Sequence, residues 1–199
     1  LRKVRPEVVG IGSSAGGPQA MTELLSSLPS DFPGCILVVQ HLPRGFAPPF
    51  AEFLRAGSSR PVHIAEAGQK LVEGQILLAP DDAHLVVENK GYVGLSQAAP
   101  VQGHRPSVDT LLHSLARSYG SSAVGVILSG IGSDGTAGLS AIREAGGLTF
   151  AQTGDSCAVN GMPRSASESG AAMFCQDPKT IAESLRHYFA KEKGSDGSR

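Results

Sequence analysis

Short apolar runs rich in Val, Ile and Leu recur along this chain, and most are followed by a longer stretch whose apolar residues return at helical spacing. Runs over 8–12, 35–40, 61–65, 75–79, 124–129 and 148–151 have strand length, while 18–27, 46–57, 107–119, 135–145 and 178–191 carry the helical period. Strands that alternate with helices are joined by crossovers, which makes neighbouring strands parallel and buries both faces of the sheet. The predicted fold is therefore α/β: a doubly wound, mostly parallel sheet in a single domain. One antiparallel hairpin interrupts the winding, because Leu85-Val86-Val87-Glu88 and Tyr92-Val93-Gly94-Leu95 flank the turn signal Asn89-Lys90-Gly91.

The 199 residues suit one core of ordinary composition. A net charge of −1 with scattered Lys and Arg leaves no electrostatic footprint for nucleic acid or an anionic membrane. The longest apolar stretches, Cys35 to Val39 and Val124 to Leu128, fall far short of the ~20 residues that span a bilayer, so no direct membrane insertion is expected. Cys35, Cys157 and Cys175 are widely spaced and odd in number, which fits a reduced, cytoplasmic setting, and Cys35 reads as a small core residue. Residues 1–7 read as a linker remnant, 8–190 as the folded domain, and 191–199, which lose all apolar periodicity, as a disordered tail.

In an open parallel sheet, ligands bind beyond the carboxyl ends of the strands, so the polar residues that follow each apolar run carry the functional information. Ser14 follows the first run, His41 follows Ile36-Leu37-Val38-Val39-Gln40, and Asp134 closes Ser129-Gly130-Ile131-Gly132-Ser133 after the run at 124–128. A serine hydroxyl becomes a nucleophile when a base takes its proton, and an imidazole does this best when a carboxylate fixes its tautomer. Each residue also has a plain structural use. Ser14 can cap a helix or hold a phosphate, and Ser13 is its neighbour and rival; His84 and His104 compete with His41 as bases; Asp134 is a suitable N-cap for a helix opening at Gly135. The Gly-rich turn Gly10-x-Gly12-x-x-x-Gly16-Gly17 misses the dinucleotide fingerprint, whose third glycine would fall on Ala15. Neither a metal-binding His/Cys spacing nor a cofactor motif is present in the sequence, and no metal or cofactor is expected.

Six segments taken together resemble the catalytic domain of the chemotaxis protein-glutamate methylesterase family. They are Gly10-Ile11-Gly12-Ser13-Ser14-Ala15-Gly16-Gly17, Val39-Gln40-His41-Leu42-Pro43-Arg44-Gly45-Phe46, Leu78-Ala79-Pro80, His104-Arg105-Pro106-Ser107-Val108-Asp109, Gly125 to Gly135, and Gly161-Met162-Pro163-Arg164. They run in order over almost the whole chain. The resemblance implies a catalytic triad of Ser14, His41 and Asp134, which chooses Ser14 over Ser13 and His41 over His84 and His104. It implies hydrolysis of glutamyl methyl esters, with deamidation of particular glutamines, on the cytoplasmic helices of methylated chemoreceptors. A phosphorylatable receiver domain commonly accompanies such a domain in the full-length protein. Some members have Thr where this chain has Ala15 and Met where it has Ile131; both positions are assigned to the oxyanion or substrate side of the site. The contrasting expectation is a non-catalytic regulatory module that keeps the fold and signals by contact.

Overall fold

A computed structural model describes residues 7–88 and 91–190. The order of elements is β1 (Val8–Ser13), α1 (Gly17–Ser27), β2 (Cys35–Gln40), α2 (Ala47–Gly57), β3 (Val62–Ile64), β4 (Ile76–Leu78), β5 (His84–Glu88), β6 (Tyr92–Ser96), α3 (Val108–Tyr119), β7 (Ala123–Ile127), α4 (Thr136–Glu144), β8 (Leu148–Gln152), α5 (Gly161–Glu168), β9 (Phe174–Gln176) and α6 (Pro178–Phe189). Seven strands form one sheet in the order β3-β4-β2-β1-β7-β8-β9, and every pairing in it is parallel. The remaining pair, β5 and β6, is the expected antiparallel hairpin. The expected turn residues Asn89 and Lys90 lie outside the described residues, as do residues 1–6 of the linker expected at 1–7 and the tail at 191–199.

The buried strands explain why these apolar runs are nearly continuous rather than alternating. Successive side chains point to opposite faces, and both faces are covered. Val9, Ile11, Ile36, Val38, Val124 and Val126 pack with Met21, Leu24, Leu54, Ile181, Leu185 and Phe189 of α1, α2 and α6. Their strand neighbours Val8, Leu37, Val39 and Ile127 join Leu111, Leu112, Leu115, Leu139, Ile142 and Met162 of α3, α4 and α5, together with Leu85 and Val87 of the hairpin. Cys35 is part of this interior, and burial pushes its thiol up to about 12.

Two glycines in β1 place α3. A Cβ on Gly10 would collide with Leu112 and Leu115, and one on Gly12 would lie inside the Val108 side chain. Their lack of side chains lets the first turn of α3 lie close against the carboxyl end of β1. The Gly-x-Gly pattern is thus used for helix–sheet packing.

Two elements were not expected from the sequence. Helix α5 contains Gly161, Pro163, Ser165 and Ser167, all weak helix formers, and β9 is a three-residue edge strand whose residues are half-buried or exposed. Among the described residues, no helix is long and apolar enough to cross a membrane.

Candidate active site

Parallel register brings the first two site residues together. Ser13 at the end of β1 is paired with Gln40 at the end of β2, so Ser14 and His41 leave the sheet side by side, about 4.8 Å apart by strand spacing. The His41 N–H donates to the Ser13 carbonyl at 2.9 Å, and the Ser14 N–H donates across to the Ser129 carbonyl beyond β7 at 3.0 Å. From β1 the chain winds to β2 on one side and later returns to β7 on the other. Ser14 therefore stands where the winding reverses, the place where open α/β sheets bind ligands.

After Ser14 the chain makes a tight turn into α1, closed by the Gly17 N–H on the Ser14 carbonyl at 2.9 Å, with Gly16 left-handed at φ 75°. A side chain on Gly16 would strike Ala158 and the Ser129 hydroxyl, 2.6 Å from the position of its Cβ. Among the described residues nothing accepts from the N–H groups of Ala15 and Gly16, and the Ser14 hydroxyl makes no hydrogen bond. Ser13 differs sharply: it is fully buried and its hydroxyl donates to Gln40 Oε1 at 2.6 Å. The loop after β7 passes against Ser14, because a Cβ on Gly130 would lie 2.9 Å from the Ser14 Cβ, and the next residue, Ile131, is 65% exposed.

Asp134 enters from that same loop and is 1% exposed. Its Oδ2 lies 2.8 Å from His41 Nε2. The carboxylate also accepts from the Val108 N–H (2.8 Å), the Asp109 N–H (2.9 Å) and the Ser107 hydroxyl (2.8 Å). The two N–H groups are orphan donors of the first turn of α3, where the helix dipole favours a negative charge, and Ser107 is its N-cap. The expectation that Asp134 caps the helix at Gly135 is thereby corrected: α4 takes left-handed Gly135 as its N-cap with no side-chain bond, and Asp134 serves α3. Burial pushes the Asp134 carboxyl upward, but the hydrogen bonds from His41, the Asp109 and Val108 N–H groups and Ser107 outweigh it and hold it below the usual carboxylate range. Asp109, next in α3, accepts from the Gly138 N–H at 2.7 Å and ties α3 to α4; burial raises its carboxyl.

An ionised carboxylate can only accept, so His41 carries a proton on Nε2, and in the neutral ring the lone pair is on Nδ1. That Nδ1 is buried and has no hydrogen-bond partner among the described residues.

The rival histidines have distinct places. His84 is fully buried, accepts the Ser107 N–H on Nδ1 (3.1 Å) and faces the Ala99 carbonyl with Nε2 (3.2 Å), so both nitrogens brace the 97–107 loop. His104 lies at the site: its ring stacks on His41 with centroids 3.6 Å apart and planes 7° from parallel. Burial, and then the neighbouring His41, lower its pKa below the ordinary histidine value against the opposing pull of Asp134. Beside the end of β2, a cavity of about 110 Å³ is lined by Leu42, Arg44, Pro80, Asp82 and Arg105, with Arg105 and Asp82 paired at 2.6 Å. Among the described residues no cluster of His, Cys, Asp and Glu has the makings of a metal site.

The sequence reading missed Gln40, Ser107 and Ser129, polar side chains that bind the backbone of the rim. Gln40 and Ser129 end or follow apolar strands just as the noticed residues do, and that placement was the available signal.

Residues 9–185 match the family model for the CheB methylesterase. The chain is 46% identical over 159 residues to protein-glutamate methylesterase/protein-glutamine glutaminase 4 of Myxococcus xanthus, covering 80% of this chain and 45% of that protein. It is 41% identical over 192 residues to a protein-glutamate methylesterase/protein-glutamine glutaminase of Nitrosospira multiformis, covering 96% and 54%. It thus spans about half the length of these relatives. The crystal structure of the Thermotoga maritima CheB methylesterase catalytic domain superposes with a TM-score of 0.88 at 37% identity, covering 92% of this chain and 99% of that one.

Proposed function

Since the chain belongs to the CheB methylesterase family, we propose that it hydrolyses glutamyl methyl esters, and deamidates particular glutamines, on the cytoplasmic helices of methylated chemoreceptors. The supporting observation is the His41–Asp134 pair at 2.8 Å, one strand away from a Ser14 hydroxyl free of other bonds. In this reading Ser14 is the nucleophile, His41 the base and Asp134 the group that fixes the imidazole. As the Ser14 oxygen attacks the ester carbonyl, its proton passes to His41 Nδ1, and Asp134 stabilises the imidazolium through Nε2. The proton then goes to the departing methoxide, which leaves as methanol. Water, deprotonated by the same nitrogen, hydrolyses the acyl-enzyme to release a free glutamate; from a glutamine, ammonia leaves instead. The free N–H groups of Ala15 and Gly16, with backbone from the Ile131 loop, are the donors available to the developing oxyanion.

The rim suits a helical, macromolecular substrate because Ser14 is only half-buried, while Ile131 in the loop after β7 and Phe46 in the loop after β2 are exposed. We place this activity in the cytoplasm, with a receiver domain as its regulatory partner in the full-length protein. Methanol release from methylated receptor is the test: the wild-type chain should release it, and Ser14→Ala should reduce release to background while still folding. Continued release by Ser14→Ala would remove Ser14 as nucleophile. A wild-type protein that binds receptor without releasing methanol or ammonia would favour the contact-signalling module.

A further inference from the structure

Gln40 is 4% exposed and sits beneath the point where Ser14 and His41 leave the sheet. Its amide nitrogen donates to the Ser14 carbonyl at 2.8 Å and to the His41 carbonyl at 3.1 Å. Its amide oxygen accepts from the Ser13 hydroxyl at 2.6 Å. The two carbonyls can only accept, so the orientation of the amide is fixed by its neighbours. Gly17 closes the arrangement from the α1 side, because a Cβ there would overlap Gln40 Oε1 and press on Ser13.

Both carbonyls lie at the end of strand pairing, where the sheet ladder no longer holds them. One side chain bridges the backbone of the nucleophile to the backbone of the base. It also sets a peptide plane. In a planar trans peptide the C=O and N–H point in opposite directions, so the pull of Gln40 on the Ser14 carbonyl, added to that of the Gly17 N–H, turns the Ala15 N–H away from them, and that N–H has no acceptor among the described residues. From the other flank, the Ser129 hydroxyl donates to the Ala15 carbonyl at 2.8 Å and sets the next peptide in the same way.

We propose that Gln40 is a positioning residue: its amide fixes the Ser14–His41 spacing and aims the Ala15 N–H as an oxyanion donor. This rests on the esterase reading of the site. Two donors are lost in either Gln40→Met, which keeps the volume, or Gln40→Glu, which keeps the shape and the bond from Ser13. A misplacement of about 1 Å costs roughly 10²-fold in rate. Both variants should therefore lower kcat for methanol release by about that factor, with KM within roughly threefold, and should slow labelling of Ser14 by a serine-reactive phosphonate to a similar degree. Ser13→Ala keeps both donor bonds and should stay within about threefold of wild type in kcat and labelling.

Melting temperature on the same samples separates positioning from folding: a lower Tm with unchanged kcat and labelling in the folded fraction would overturn the proposal. So would a raised KM with unchanged kcat in either variant. Should Gln40→Met not fold, the isosteric Gln40→Glu decides alone. A wild-type protein that labels but releases no methanol would sink the esterase reading, while the labelling rates of the variants would still decide the role of Gln40.

Discussion

The imidazoles of His41 and His104 lie face to face, 3.6 Å apart, and the loop that carries His104 is braced on several sides. Val101 and His104 exchange backbone hydrogen bonds, Gln102 holds Asp109, and Arg105 holds Asp82 together with the Gln97 and Ala98 carbonyls. His104 is therefore a fixed plate against which the His41 ring keeps its plane, with Nε2 on Asp134.

The stack gives a pH dependence with a definite sign. The His104 pKa is lowered in the folded state by burial and by His41, while Asp134 pulls the other way. Its stabilising contribution is complete above the unfolded value of about 6.5 and is lost as pH falls from there through the folded value, because the unfolded chain takes up the proton first. His104→Phe keeps a ring and removes the titration. Urea midpoints at pH 7.5 and pH 5.5 should fall less in His104→Phe than in wild type, and an equal fall in both would count against this account.

Asp134→Asn should cost both stability and turnover. Asparagine is an adequate cap where one acceptor suffices, but Asp134 meets four donors from His41, Ser107, Val108 and Asp109. The substituted amide would set an NH₂ against one of these groups, at a cost of about 1–3 kcal/mol. It would also lose the charge facing the imidazolium; the comparable change in a serine protease lowers turnover about 10⁴-fold. Thermal unfolding and methanol release on one sample check this, and a variant with wild-type Tm would show that the α3 bonds contribute nothing.

Gly12→Ala adds one methyl where Val108 already sits. Overpacking of this kind costs about 1–3 kcal/mol, and here it must push the first turn of α3 away from Asp134. The expected result is a lower Tm with reduced esterase activity, and partial recovery of both on adding Val108→Ala. A Gly12→Ala protein with unaltered Tm and activity would mean that α3 has room to spare.

The strand order of the core was not written in the sequence, but its periodicity was, because strands buried on both faces must read as short continuous apolar runs. The carboxyl-edge positions of Ser14, His41 and Asp134 followed from the same pattern. The helix that Asp134 caps did not follow. Its acceptors serve residues more than twenty positions upstream in α3, while the sequence signal was local and pointed to Gly135. The His41–His104 stack and the Gln40 bridge are likewise contacts between distant segments, and local propensity holds no trace of them. Helix α5 was hidden because its stability comes from Met162 and Ala166 packing in the core rather than from its own weak helix formers.

The glycines of β1 have a consequence for how such a chain can change. A strand that cannot accept even a methyl group leaves no latitude behind the site, whereas Phe46 and Ile131 stand in solvent at its edge, 53% and 65% exposed. Replacing either should cost the fold little, since neither fills the interior. A lineage can therefore exchange the exposed side chains of the rim while the packing beneath them stays immobile, and inventiveness is confined to the outer lip of the sheet.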